Sequence, residues 1–239
     1  SEFIDILSAI RNKSITKGQL HTLNQRYLPN FVPGKNDLYI YLTPTNAQAD
    51  EINRSKLSEL PGDLFSSEGT VTGAFEQKNL PTHLKLELKV GAQLMLLNND
   101  PEGRWMNGTV ARLVDIDREE LSITIELEDK RRFNIIPFTW EMFRFTYNET
   151  IGSLESETVG SFTQFPLRLA WAVTIHKSQG KTFSKMILDI GAGSFSHGQT
   201  YVALSRCTTF NGLVLKKPIL YQHILLDNRV VDFMRSKGN

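Results

Sequence analysis

The spacing of apolar positions changes repeatedly along the chain, and each change marks an element. At the start, Phe3, Ile6, Leu7 and Ile10 recur at helical spacing in FIDILSAIR. Thr16, with Gln19 three residues later, predicts a capping box that opens a second helix, and Pro29, Pro33 and Gly34 close this helical lead-in. From Asp37 the alternation Leu38, Ile40, Leu42 predicts a strand that stops at Pro44, and AQADEINRSKLSEL after it reads as a helix. Between Pro61 and Asn99, Gly, Ser and Thr punctuation around LKLELKVGAQLMLL predicts two or three strands. One of them is half-buried, with Lys85, Glu87 and Lys89 on the wet face and Leu84, Leu86, Leu88 and Val90 on the dry face. Gly91 then supplies a tight turn.

The clearest boundary is NNDPEGRWMNGT, Asn98 to Thr109, where turn-formers crowd together. Beyond it the short alternating runs VARLVDID, LSITIELED and RRFNIIPF have the pattern of a small β-barrel. In that region Trp140, Phe143 and Phe145 are expected as core rather than as stacking platforms for bases, and Lys130, Arg131 and Arg132 as a solvated turn. From Pro166 uniformly apolar runs return. PLRLAWAV is a buried run, MILDIG a strand, GQTYVALSR a helix, and Asn211-Gly212 turns the chain into the strand GLVL. Tyr221 to Met234 reads as a last amphipathic helix with Arg229 and Arg235 exposed.

The buried run ending near Val173 delivers Thr174, His176, Lys177, Ser178 and Gln179 at its tip. Hydroxyls and an imidazole donate to phosphate oxygens, lysine adds charge, and Gly180 lets a ligand approach the backbone closely. Thr43, Thr45 and Asn46 follow the strand at Ile40, at the carboxyl end where open α/β sheets collect ligands, and they open a helix with free N–H groups. Helix capping accounts for Thr and Asn there equally well. Gly180-Lys181-Thr182 imitates the phosphate-cradling loop GxxxxGK[ST], but that loop needs glycine where Ile175 stands. Gly34-Lys35 is followed by Asn36, MILD ends on Asp189 with Ile190 next, and Asp50-Glu51 follows no apolar strand. The sequence therefore carries neither a Walker A loop nor a Walker B acidic pair. Arg206 sits at a helix exit, where arginine commonly serves the last carbonyls.

Composition narrows the classes. The chain has 239 residues, 40 % of them hydrophobic, enough for one or two domains with a sizeable core. Lys and Arg number 27 against 26 Asp and Glu, so no global basic field advertises nucleic acid and any such contact is local. The single cysteine, Cys207, excludes an internal disulfide framework and fits a reducing compartment. His176, His197 and Cys207 lack the paired spacing of a metal site, so no metal is expected. No apolar run approaches a membrane span, and the Ser1-Glu2-Phe3 start is no signal peptide. The absent initiating Met and the absent ATP-cradling motifs predict an excised fragment.

TIHKSQGKTF, then MILDIG, then GQTYVALSR and GLVL stand in the order of the fifth and sixth motifs of a superfamily-1 helicase, and the chain resembles the RecD-like, Pif-type branch of that group. Gly91-Ala92-Gln93 and the loop at Thr43 to Asn46 match further family patterns. The resemblance implies an α/β fold: a RecA-like parallel sheet flanked by helices, a short N-terminal helical segment and an inserted Src-homology-3-like small β-barrel. Residues 1–36 would form the helical lead-in, 37–103 and 163–239 the second RecA-like domain, and 104–162 the barrel. It further implies that Arg206 is an arginine finger, that Gln179, Gly180 and Lys181 lie near nucleotide, and that Thr43, Thr45, Asn46, Thr174, His176, Lys177 and Ser178 line a single-stranded DNA track. ATP and Mg²⁺ would be held mainly by the N-terminal RecA-like domain of a longer protein, with no cofactor in this fragment. The family's setting is DNA replication, recombination and repair with 5′ to 3′ polarity. The expected protein is a monomer in the cytoplasm, nucleoid-associated if bacterial. The competing class is a non-catalytic nucleic-acid or protein-binding module that keeps a helicase-like surface.

Overall fold

Strands buried on both faces have no wet side to alternate with, and the short apolar runs of this chain use that property to build a parallel sheet. The computed structural model describes residues 2–148, 152–190 and 199–224. By contact density the chain divides into two units, Ser1–Lys56 with Ala170–Asn239, and Leu57–Leu169.

The first unit begins with α1 (Glu2–Arg11), which buries Phe3, Ile6, Ala9 and Ile10 along one stripe. α2 (Lys17–Asn24) opens on the expected capping box, with the Gln19 N–H on Thr16 Oγ1 at 3.2 Å and the Thr16 N–H on Gln19 Oε1 at 3.0 Å. After α2 the Arg26 guanidinium donates to the carbonyls of Leu213 and Asn211, and the Lys216 ammonium to those of Pro29 and Phe31. These bonds fasten the helical lead-in to the far strand of the sheet. β1 (Ile40–Thr43) and α3 (Asn46–Glu59) follow.

The second unit is antiparallel throughout: β2 (Phe65–Glu68), β3 (Thr70–Gly73), β4 (Lys85–Leu88), β5 (Gln93–Leu96), β6 (Val110–Asp117), β7 (Ser122–Leu127), β8 (Arg132–Ile135), β9 (Phe138–Asn148), β10 (Ser153–Gln164) and β11 (Leu167–Leu169). Their pairing gives sheets in the orders β11-β5-β6-β7-β8, β3-β10-β9 and β2-β4. Strand pairing alone does not close these sheets into an Src-homology-3-like barrel. Because β5 and β11 hydrogen-bond into the five-stranded sheet, residues 57–103 and 163–169 group with 104–162. The family resemblance, by contrast, groups those two stretches with the parallel sheet.

Two expectations in this unit are corrected. Val90 is 48 % exposed because β4 ends at Leu88, before the Gly91 turn at φ +92°. Phe143 and Phe145 are not core; they are 48 % and 67 % exposed on the long β9–β10 hairpin. Trp140 does pack, stacked on Phe162 with ring centroids 5.6 Å apart. Lys130 and Arg132 pair with Glu126, and Arg131 with Asp129, so the basic run is neutralised locally.

The chain then returns to the first unit with β12 (Ala172–Thr174), β13 (Met186–Leu188), α4 (Gln199–Leu204) and β14 (Leu213–Leu215). The four-stranded sheet has order β12-β1-β13-β14, parallel throughout, and the side chains of β12, β13 and β14 are all buried. A single 3₁₀ turn occupies Tyr221–His223; the rest of the helix expected to run to Met234, with Arg229 and Arg235, lies outside the described residues.

Gly212 precedes β14 where a Cβ would lie 1.8 Å from the Ser184 carbonyl oxygen, whereas a Cβ on Gly103 would meet open space at φ +72°. Gly212→Ala is expected to destabilise by roughly 2–3 kcal/mol through backbone displacement, and Gly103→Ala by about 1 kcal/mol through its left-handed conformation alone. The midpoints of urea denaturation for the two variants check this ordering.

Asp100 lies in the β5–β6 loop with a side chain only 2 % exposed and accepts from Arg104 Nη2 at 2.7 Å and Nε at 2.8 Å. The Arg104 guanidinium, helped by the backbone N–H groups of Arg104 and Glu102, holds the Asp100 carboxyl at about 2. A depressed carboxyl stabilises the fold above its unfolded value near 4, and that contribution disappears as pH falls through about 2. Stability measured by denaturation should therefore fall between about pH 4 and pH 2, and Asp100→Asn should flatten that acid limb.

Candidate functional site

Parallel register brings two loops out at the same edge. Thr43 and Thr174 are partners at the carboxyl ends of β1 and β12, and the Ile175 N–H donates to the Thr43 carbonyl at 3.1 Å. The Pro44–Asn46 loop and the turn from Ile175 to Gly180 therefore emerge as neighbours. Thr45, Asn46, His176, Lys177, Gln179 and Gly180 are exposed there, while Thr43, Thr174 and Ser178 are buried. The buried hydroxyls build the loops. Thr43 Oγ1 donates to the Thr45 carbonyl at 3.1 Å, Ser178 Oγ donates to the Ile175 carbonyl at 2.7 Å, and Thr174 Oγ1 accepts from the Lys177 N–H at 3.3 Å. Thr45 caps α3 by accepting the Gln48 N–H at 3.3 Å.

Because β12 and β13 are parallel, residues 175–185 must carry the chain from the carboxyl end of the sheet back to its amino end. Gly180 makes the reversal with φ +75°, and nothing lies within 4 Å of where its Cβ would be, so backbone conformation rather than space favours glycine there. Lys181 reaches back with Nζ to the Lys177 carbonyl at 3.4 Å. The descending segment then meets the exit of α4. Phe183 and Cys207 form a parallel bridge, with the Phe183 N–H on the Arg206 carbonyl at 2.8 Å and the Thr208 N–H on the Phe183 carbonyl at 3.0 Å. The half-buried Arg206 guanidinium spans the junction. It donates from Nε to the Val202 carbonyl at 3.0 Å, from Nη1 to the Lys181 carbonyl at 3.2 Å and from Nη2 to Ser205 Oγ at 2.9 Å. Arg206 and Lys181 are thus brought together, while the exposed groups from Thr45 to Lys177 gather at the other end of the same segment.

Cys207 is buried and donates to the Thr209 carbonyl, and burial pushes its thiol up to about 11, so it stays protonated and serves packing. Among the described residues no group of three or more His, Cys, Asp or Glu side chains is arranged to hold a metal; His197 lies outside them. No described helix is long and apolar enough to cross a membrane.

The chain is 32 % identical over 240 residues to the ATP-dependent DNA helicase Pif1 of Bdellovibrio bacteriovorus, an alignment covering 98 % of this chain and 51 % of that protein. It superposes with a TM-score of 0.91 on Pif1 from Bacteroides sp in complex with ADP-AlF4, at 33 % identity over 99 % of this chain and 54 % of that one. The chain is a homologue of the Pif1-type helicases of superfamily 1. Bacteroides Pif1 bound to single-stranded DNA matches with a TM-score of 0.71, at 34 % identity over 100 % of this chain and 55 % of that one. The chain spans about half the length of the curated Pif1 relatives it matches in Bdellovibrio and Campylobacter. No family model matches it.

Two further residues shape this candidate site through their hydrogen bonds. Ser205 passes a hydrogen bond from Arg206 on to the Val202 carbonyl at 3.0 Å, and so orients the guanidinium. Asn53 of α3 holds the outer edge of β12 with both ends of its amide: Nδ2 donates to the Ala172 carbonyl and Oδ1 accepts the Ala172 N–H, each at 2.9 Å. A polar residue in a polar helix gives no hint of a partner 119 positions away. Asn53→Ala is expected to cost about 1–3 kcal/mol, since it strands both backbone groups of Ala172, and Asn53→Asp to keep the bond accepted from the Ala172 N–H while setting a carboxylate oxygen against the Ala172 carbonyl. Chemical denaturation of the two variants tests this, and an Asn53→Ala protein as stable as the parent would rule out the clamp.

Proposed function

We propose that this chain is the C-terminal motor segment of an ATP-dependent DNA helicase, supplying an arginine finger and part of a single-stranded DNA track. The observation that carries the reading is the coupled junction of Arg206 with Lys181, joined through one short segment to the exposed cluster of Thr45, Asn46, His176 and Lys177. Similarity to Pif1 proteins solved with ADP-AlF4 and with single-stranded DNA supports the assignment of nucleotide to one end and DNA to the other. On this reading Arg206 turns its planar fork toward the terminal phosphate of ATP, where charge grows during hydrolysis. Gln179, Gly180 and Lys181 lie beside the nucleotide. Thr45, Asn46, His176 and Lys177 meet DNA phosphates directly, while Thr43, Thr174 and Ser178 act by holding the loops that carry them.

ATP and Mg²⁺ are held mainly by an N-terminal RecA-like domain of the longer protein, because this sequence has no GxxxxGK[ST] loop and no acidic pair after an apolar strand. The motor works as a monomer and moves 5′ to 3′. The isolated chain has no ATPase activity of its own and binds single strands weakly, with a log–log salt slope of about −0.7 per phosphate neutralised. A second reading has its own observation: each of the three nitrogens of Arg206 already serves a group of this chain, which is what a purely structural helix-exit arginine does.

The test belongs in the full-length protein. Arg206→Ala should lower DNA-stimulated ATP turnover by about 10³ to 10⁵ while leaving single-strand affinity without nucleotide near the parent value. Arg206→Lys should restore little, since a point charge cannot reproduce the fork. His176→Ala should weaken DNA binding and DNA stimulation more than basal hydrolysis. An Arg206→Ala protein that loses stability but keeps full turnover per folded molecule would establish the structural reading instead.

A further inference from the structure

The long hairpin of the second unit is larger than its sheet requires. β3 pairs only with Gly160–Thr163 of β10, so beyond that point Phe143–Asn148 and Ser153–Thr158 continue as a two-stranded arm among the described residues. Side chains alternate between the two faces of such a ribbon. One face presents Phe143, Phe145 and Tyr147, with Thr158, Ser156 and Leu154 as their cross-strand partners. Phe145, Tyr147 and Leu154 are 67 %, 60 % and 70 % exposed. The other face carries Arg144, Thr146, Glu155 and Glu157, and Glu141 stands exposed at the base of the arm. Arg144 lies 3.4 Å from Glu157 with both side chains about two-thirds exposed, so this pair adds little and leaves the arm acidic. β9 is also the last strand of its sheet, with one backbone edge free of any described strand.

We propose that this arm docks an extended, basic segment of a partner protein, which adds as a strand along the free edge of β9. The proposal stands on the arm alone and is independent of the helicase reading. An edge strand offers a row of N–H and C=O groups to an incoming chain, and an aromatic row repeating about every 7 Å matches apolar side chains at every second position of that chain. Lysines or arginines at the intervening positions share the face of Arg144 and Thr146, and a long side chain passing over the short Thr146 reaches Glu155 one strand further on, with Glu157 beside Arg144. Charge selects this occupant over two others. Phosphates of a nucleic acid would meet three carboxylates, Glu141, Glu155 and Glu157, against the one guanidinium of Arg144. A second copy of the chain would bring two such acidic arms together.

The probe is a synthetic octapeptide alternating valine and lysine, titrated against the 239-residue chain by fluorescence anisotropy. Binding is expected to weaken with added salt, and to weaken at least about tenfold in Phe145→Ser, a change on an exposed side chain that leaves the fold intact. Glu155→Gln combined with Glu157→Gln should reduce both the affinity and its salt dependence. No binding, or equal binding of a peptide with its valines and lysines in two blocks, would overturn strand addition. Equal binding of a valine–glutamate alternation would overturn the charge argument. Displacement of the peptide by oligothymidylate would make the arm a nucleic-acid surface. Dimerisation of the chain that Phe145→Ser abolishes would make a second copy the occupant.

Discussion

Parallel pairing is the constraint on which the rest of the first unit depends. Two parallel strands cannot be joined by a tight turn, so every connection between β1, β12, β13 and β14 must travel the length of the sheet and back. Between β1 and β12 the return journey includes the whole second unit, and between β12 and β13 it is the short segment ending at Lys185. That short segment can form no regular helix along its whole length, and its hydrogen bonds show what replaces one. Buried hydroxyls of Thr174 and Ser178 turn it, Gly180 reverses it, and Phe183 pairs it with Cys207. The same obligation that makes the sheet parallel therefore puts the loop after Thr43 beside the loop after Thr174, and the end of the descending segment beside Arg206.

The hydrogen bonds of Arg206 indicate how such a junction is held. Its partners are two carbonyls and one hydroxyl rather than a carboxylate, so its charge is oriented but not neutralised within this set of contacts. A guanidinium bound only by neutral acceptors still gains from meeting a phosphate, because charge-assisted pairs are the stronger ones. Asp100 with Arg104, and Glu126 with its three basic neighbours, show the opposite arrangement in the second unit, where charge is consumed locally and serves the fold.

Much of this is legible in the residues. Runs such as Met186–Leu188 and Leu213–Leu215 are too short and too uniformly apolar to be anything but buried strands once Gly212 and the polar tips bound them, and the Thr16–Gln19 box marks its helix without ambiguity. What escapes has a common physical cause. Alternation tells which residues share a face but not whether another layer covers that face, which is why Phe143 and Phe145 read as core and stand in solvent. A hydroxyl at the end of a strand offers the same atoms to a ligand and to its own backbone, so Thr43, Thr174 and Ser178 cannot be sorted from Thr45 and His176 without their burial. Asn53 acts through Ala172, 119 positions away, which only the fold brings near.

The Asn53 clamp has a meaning beyond the strength of two hydrogen bonds. β12 is the outermost strand of the parallel sheet, and the peptide groups of Ala172 point away from β1. An uncovered edge of that kind invites any passing extended chain to continue the sheet, which is how soluble domains stick to one another. One side-chain amide has the same donor and acceptor as a peptide group and cannot be extended further, so Asn53 acts as a counterfeit last strand one residue long. The segment that leads into His176 and Lys177 is thereby kept from being recruited into someone else's sheet.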